Sequence, residues 1–105
     1  MYYTYIIKCE NETLYTGIAK DVARRFGEHV SGSKKGAKYT RANRAVSVEA
    51  VWCSEDRSAA SKLEAFIKKL SRSQKLELIA QPDLLKDKYG DKISWSDYEL
   101  VKVNI

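Results

Sequence analysis

A chain of 105 residues, 44% hydrophobic and 31% charged, with one proline and five glycines, has the size and composition of one globular domain with one core. It is too short for two independent cores and too apolar for a disordered polymer. The net charge of +5 is concentrated in residues 1–81, which carry 15 Lys/Arg against 9 Asp/Glu, whereas residues 82–105 carry 4 against 5; a modestly basic body suits a polyanionic partner.

No run approaches the roughly 20 apolar residues needed to cross a bilayer, and Met1 to Lys8 alternates polar with apolar rather than forming a leader. A cytoplasmic protein is expected. Cys9 and Cys53 lack metal-ligand spacing and are expected to be reduced and packed.

In chain order, Tyr2 to Lys8 and Thr13 to Ile18 are rich in aromatic and β-branched residues and flank the polar Glu10-Asn11-Glu12, which predicts a β-hairpin with Asn11 as its left-handed residue. Asp21 supplies an N-cap for a first helix, whose apolar stripe is read as Val22, Phe26 and Val30. Residues 31–44 contain five cations, no acid and no apolar period, and predict a basic loop. Val46 to Cys53 reads as a strand. After Asp56, positions 59, 60, 63, 66, 67 and 70 follow helical spacing. Ser71 and Gln74 resemble a capping box opening a shorter helix from Ser73 to about Ala80, before Pro82. In the remainder, Leu84 and Leu85 fit a helical turn, and Val101, Val103 and Ile105 alternate like a last strand. The expected architecture is α+β: a small antiparallel three-stranded sheet flanked by helices in the order β-β-α-β-α-α, a domain over residues 1–81, and a C-terminal extension over 82–105 packed on or following it.

Arg25 and His29 are four residues apart and share a face of the first helix that borders the core; in the plainest account they lie on a solvated edge, with Asp21 and Arg25 as an exposed pair. Glu64 lies roughly 40° beyond the apolar arc of its helix, a boundary position that suits a partly desolvated carboxylate and a hard cation. Tyr5 and Tyr15 fall on adjacent strands of one hairpin, so their hydroxyls can converge, and Gly17 leaves room for a backbone or ligand.

Tyr3-Thr4-Tyr5, Tyr15-Thr16-Gly17, the helix holding Arg25 and His29, the Gly36-Ala37-Lys38-Tyr39-Thr40-Arg41 loop and the Leu63-Glu64-Ala65-Phe66-Ile67 helix follow one another as in the GIY-YIG nuclease superfamily, and the chain resembles its small stand-alone bacterial members of the YhbQ type and the UvrC nuclease domain. Tyr3 stands where the first motif has glycine, and Thr16 where the second has an aliphatic residue.

The resemblance implies hydrolysis of a DNA phosphodiester with one divalent cation, Mg2+ or Mn2+. It makes Tyr5, Tyr15, Arg25, His29 and Glu64 the catalytic set, with Glu64 as metal ligand and Gly17 as the point of backbone approach. Tyr5 or Tyr15, lowered from a pKa near 10 by the cation and the arginine, is the expected general base. Lys38, Tyr39, Arg41 and Arg44 are the expected substrate grip. So small a chain offers no separate sequence-reading domain, so a structure-selective repair or recombination endonuclease, acting as a monomer, is the first expectation. RNA shares the same phosphate chemistry and remains an alternative polymer. The competing functions are a non-catalytic nucleic-acid-binding module and a subunit recruited to a larger repair complex through its tail.

Overall fold

The computed structural model describes residues 1–31 and 43–102. Its elements are β1 (Tyr2–Cys9), β2 (Leu14–Ala19), α1 (Val22–Ser31), β3 (Ala45–Ser54), α2 (Arg57–Lys68), α3 (Arg72–Ala80), α4 (Leu84–Asp87), a 3-10 turn (Trp95–Asp97) and β4 (Glu99–Val101). The sheet is antiparallel with strand order β2-β1-β3-β4. Four strands are present among the described residues, not the three expected. The extra one is the short β4, which pairs Val51, Trp52 and Cys53 of β3 with Val101, Leu100 and Glu99; Val103 and Ile105, read as part of a last strand, lie outside the described residues.

Successive residues of a strand face opposite sides, so the sheet divides the core in two. On one side Ile6, Ala50 and Trp52 pack against Leu63 and Ile67 of α2, Leu78 of α3 and Leu85 of α4. On the other, Tyr5, Ile7, Cys9, Val48 and Val51 pack with Tyr15 and with Val22 and Phe26 of α1. The C-terminal extension belongs to the first of these cores: Leu84, Ile93 and Tyr98 pack there with Leu85, and the Tyr98 hydroxyl donates to the Ala59 carbonyl of α2 at 2.6 Å. Trp95 stands at the surface, with the Lys86 ammonium 4.7 Å from its ring centroid, while Trp52 is buried.

Local chemistry accounts for the element boundaries. Asp21 Oδ1 accepts from the Arg24 amide, so this carboxylate caps α1 and does not form the expected pair with Arg25. Asp56 caps α2 by accepting from Ala59 N at 2.8 Å. Ser71 and Gln74 form the full capping box of α3, which starts at Arg72. In the hairpin loop the left-handed residue is Glu12, φ 66°, and not Asn11, whose side-chain oxygen accepts from Thr13. Asn11 is thus held by an Asx-type bond, and the positive φ passes to its neighbour. Cys9 and Cys53 are free thiols in the core, and burial raises the Cys9 pKa.

Candidate active site

The β1–β2 register sets Tyr5 directly opposite Gly17, with Tyr15 two residues along β2 on the same face. Lacking a side chain, Gly17 lets the Tyr5 ring lie across it: a Cβ there would stand 2.5 Å from Tyr5 Oη and 2.8 Å from its Cζ. Tyr5 is 2% exposed. Its hydroxyl meets His29 Nε2 at 2.9 Å, and the edge of the Tyr15–His29 pair closes the same pocket, with ring centroids 5.3 Å apart.

His29 reaches this place because α1 is turned differently from the expected stripe. At about 100° per residue, positions 22, 26 and 29 fall within roughly 60° of one another, while position 30 falls further round. Val22 and Phe26 pack on the sheet as expected, His29 is fully buried beside them, and Val30 is 41% exposed. The reading of His29 as a solvated edge residue is thereby corrected, and so is the inclusion of Val30 in the buried stripe.

Arg25, one turn earlier, is partly buried. Its Nη1 donates to Glu28 Oε1 at 2.9 Å, and the guanidinium stands near enough to the Tyr5 hydroxyl to pull that group's pKa down. Burial works to lower its pKa, but the bond to Glu28 and the nearness of Tyr5 outweigh that and hold it above its ordinary value. Burial, together with the nearby Arg25 charge, pushes the His29 pKa down to about 4, so the imidazole is neutral at pH 7. Tyr5 Oη and His29 Nε2 are 2.9 Å apart, so in the tautomer that leaves Nε2 unprotonated the neutral ring accepts the hydroxyl's proton.

Glu64 comes from α2, across the sheet from α1, and lies close enough to Tyr5 for its charge to raise that hydroxyl's pKa. Its side chain is 24% exposed and its Oε2 is 3.4 Å from Lys68 Nζ. Among the described residues, no group of three or more His, Cys, Asp or Glu side chains converges on one point. A resident cation would therefore rest on the Glu64 carboxylate, with water and substrate oxygens as its other ligands. Magnesium fits such a donor set, since it takes hard oxygen ligands and gives up its waters reluctantly.

The expected lowering of a tyrosine pKa counts on a bound cation beside the arginine, and the protein alone shifts Tyr5 the other way. Burial dominates and pushes it up to about 12, over the opposing pull of Arg25. Tyr5, Tyr15, Arg25, His29 and Gly17 stand together, and the charge of Glu64 acts on Tyr5 from α2. Lys38, Tyr39 and Arg41 lie outside the described residues. Arg44 is elsewhere: its amide donates to Glu10 Oε1 and its carbonyl accepts from Glu10 N, which fixes its backbone beside the hairpin loop, about 16 Å from Tyr5 along the strand direction at 3.3 Å per residue. Glu28 was missed. Its signal was the i,i+3 spacing from Arg25, which sets the two side chains on neighbouring positions of one helix face.

The model of the GIY-YIG catalytic domain matches residues 1–77, a span that contains the whole cluster. The chain belongs to the GIY-YIG family. GIY-YIG domains are nuclease domains, so phosphodiester hydrolysis of a nucleic acid is the class of chemistry at issue. Among its relatives, a UPF0213 protein of Fusobacterium nucleatum is 44% identical over 82 residues, 78% of this chain and 80% of that one. A UPF0213 protein of Clostridium perfringens is 38% identical over 94 residues, 90% of this chain and 99% of that one, so the match there runs on into the extension. The solution NMR structure of a UPF0213 protein from Bacillus halodurans shares 39% identity, with 76% of this chain and 84% of that chain covered and a TM-score of 0.45. The GIY-YIG relatives are thus small proteins of similar length, and their names state no substrate.

Proposed function

We propose that the protein is a divalent-metal-dependent endonuclease that hydrolyses DNA phosphodiester bonds and selects its substrate by structure, in repair or recombination. The observation that carries this reading is the buried Tyr5–His29 hydrogen bond, at a hydroxyl on which the charges of Arg25 and Glu64 both act. A bound cation would supply positive charge to a phosphate oxygen and to the departing 3′-oxygen. Glu64 would hold it.

The chain's own groups divide the rest. Arg25 offers a permanent, planar cation to the charge that builds on the phosphate, and Glu28 fixes the plane of that guanidinium. With a pKa of about 12, Tyr5 stays protonated at neutral pH, so it does not wait as a phenolate. It acts instead as a relay: as its oxygen takes a proton from water, its own proton passes to His29 Nε2, the neutral acceptor 2.9 Å away. Tyr15 packs against the other edge of the imidazole and holds its plane.

Cleavage of end-labelled linear, flap and four-way DNA with magnesium, manganese or EDTA, beside Glu64→Gln, tests the reading. Metal-dependent cutting is expected, with a loss of at least about 100-fold in Glu64→Gln and unchanged melting. Tight binding by folded protein without cutting in any metal would leave a binding module instead.

A further inference from the structure

Helix α2 presents two flanks. Relative to the buried Leu63, Glu64 is displaced by about 100° to one side, towards the candidate active site, and Lys62 by about 100° to the other, with Lys69 about 20° further on. The arc between them turns away from the core and holds Arg57, Lys68, Ser61, Ala65 and Ser58 in that order, so two cations lie next to Glu64 and small residues follow them. Beyond that arc, on the Lys62 flank, α2 and the C-terminal extension enclose a cleft of about 510 Å³.

The cleft is amphipathic. Lys62 and Lys69 stand on one wall and Lys92 on the other, all three exposed, and none has an ion-pair partner among the described residues. The half-buried Phe66 and Ile93 lie between them. Asp56 and Asp97 also line the cleft; the Asp56 carboxylate is occupied as the N-cap of α2, which places it at the helix start and away from Lys69. Unpaired ammonium groups beside apolar side chains suit a ligand with phosphates along one edge and flat apolar faces along the other. The volume suits one or two nucleotides of a single strand and is far too small for a duplex.

We propose that the solvent face of α2 and this cleft form a track for a single-stranded nucleic-acid segment that leaves the candidate active site, a role that rests on the nuclease reading of that site. Such a track makes the protein prefer a duplex carrying a single-stranded tail to a blunt one. The C-terminal extension supplies its far wall.

Fluorescence anisotropy with full-length protein in EDTA tests it, using a blunt duplex and the same duplex with a tail of about ten nucleotides. The wild type is expected to bind the tailed DNA about tenfold more tightly. In the Lys62→Ala/Lys69→Ala/Lys92→Ala variant that preference should vanish, and the salt slope for tailed DNA should fall by about 2, near 0.7 per lost contact to a single strand. Binding of the blunt duplex and its metal-dependent cleavage should be unchanged. A tail preference that survives in the triple variant, or an equal loss on both DNAs, overturns the track while leaving the nuclease reading intact. So does an acidic peptide that displaces the tail at equal concentration, since the cleft would then be a protein-docking site. Failure of the folded protein to bind either DNA overturns both.

Discussion

The contact between Gly17 and Tyr5 makes a sharp contrast with another glycine of the chain. A methyl group at position 17 meets Tyr5 Oη and Cζ, and Tyr5 cannot give way because its ring is buried and its hydroxyl is tied to His29. Gly17→Ala is therefore expected to cost about 1–3 kcal/mol and to lower cleavage at least tenfold. Among the described residues nothing lies within 4 Å of a Cβ at Gly27, on the exposed side of α1. Gly27→Ala should be neutral in activity and stabilising by up to about 1 kcal/mol. Equal melting temperatures and rates for the two variants would refute this account of position 17. His29 offers a second measurement, helped by its being the chain's one histidine. Its imidazole NMR signals are expected to titrate with a midpoint of about 4. Because the folded pKa lies below the ordinary value near 6.5, the unfolded chain binds the extra proton first as pH falls. The stabilisation is fully present above pH 6.5 and is lost between 6.5 and 4, an effect of order 3 kcal/mol. A midpoint near 6.5 would show the ring to be solvated.

At the scale of elements, the two caps on the helices below the sheet are separable. Asp56→Ala and Ser71→Ala each remove an acceptor from a helix start and should cost about 1 kcal/mol, read as a fall in melting temperature of several degrees. A silent Ser71→Ala would mean that the bond from the Gln74 amide to the Ser71 hydroxyl stabilises nothing, since the reciprocal bond from the Ser71 amide to the Gln74 side chain survives the substitution. These caps were legible in the sequence because capping depends on residues only three positions apart, and the hairpin and the α2 stripe were legible for the same reason. The turn of α1 was not. Val22 and Phe26 are compatible with either position 29 or position 30 as the third inward residue, and only packing on the sheet decides that the histidine goes in. The converging tyrosines could be seen from hairpin geometry, yet the direction of the Tyr5 pKa could not, because burial is a property of the whole fold. β4 was legible only in part: the alternation from Val101 pointed to a last strand, but not to its start at Glu99 or to its pairing with β3, which is distant in sequence.

For the whole molecule, the C-terminal extension is expected to be indispensable to the fold as it stands. It contributes the buried Leu85 and Tyr89, the packed Leu84, Ile93 and Tyr98, and an edge strand. At about 1.5–3 kcal/mol for each large apolar side chain buried, its loss removes on the order of 5 kcal/mol or more from a domain whose stability is commonly about 5–15 kcal/mol. A chain ended at Ala80 should melt at least about 15 °C lower or fail to fold. Urea unfolding of both lengths, followed by circular dichroism, checks this, and equal midpoints would contradict it. The two tryptophans add a practical consequence. Trp52 lies 2% exposed within the sheet, and Trp95 lies 38% exposed in the extension, beneath a lysine ammonium. The natural chain thus carries two intrinsic fluorophores in unlike surroundings, one reporting on the barrier between the two cores and the other on the docking of the tail. With Trp95→Phe alongside the wild type, an emission change on adding DNA can be traced to one region or the other without attaching any dye.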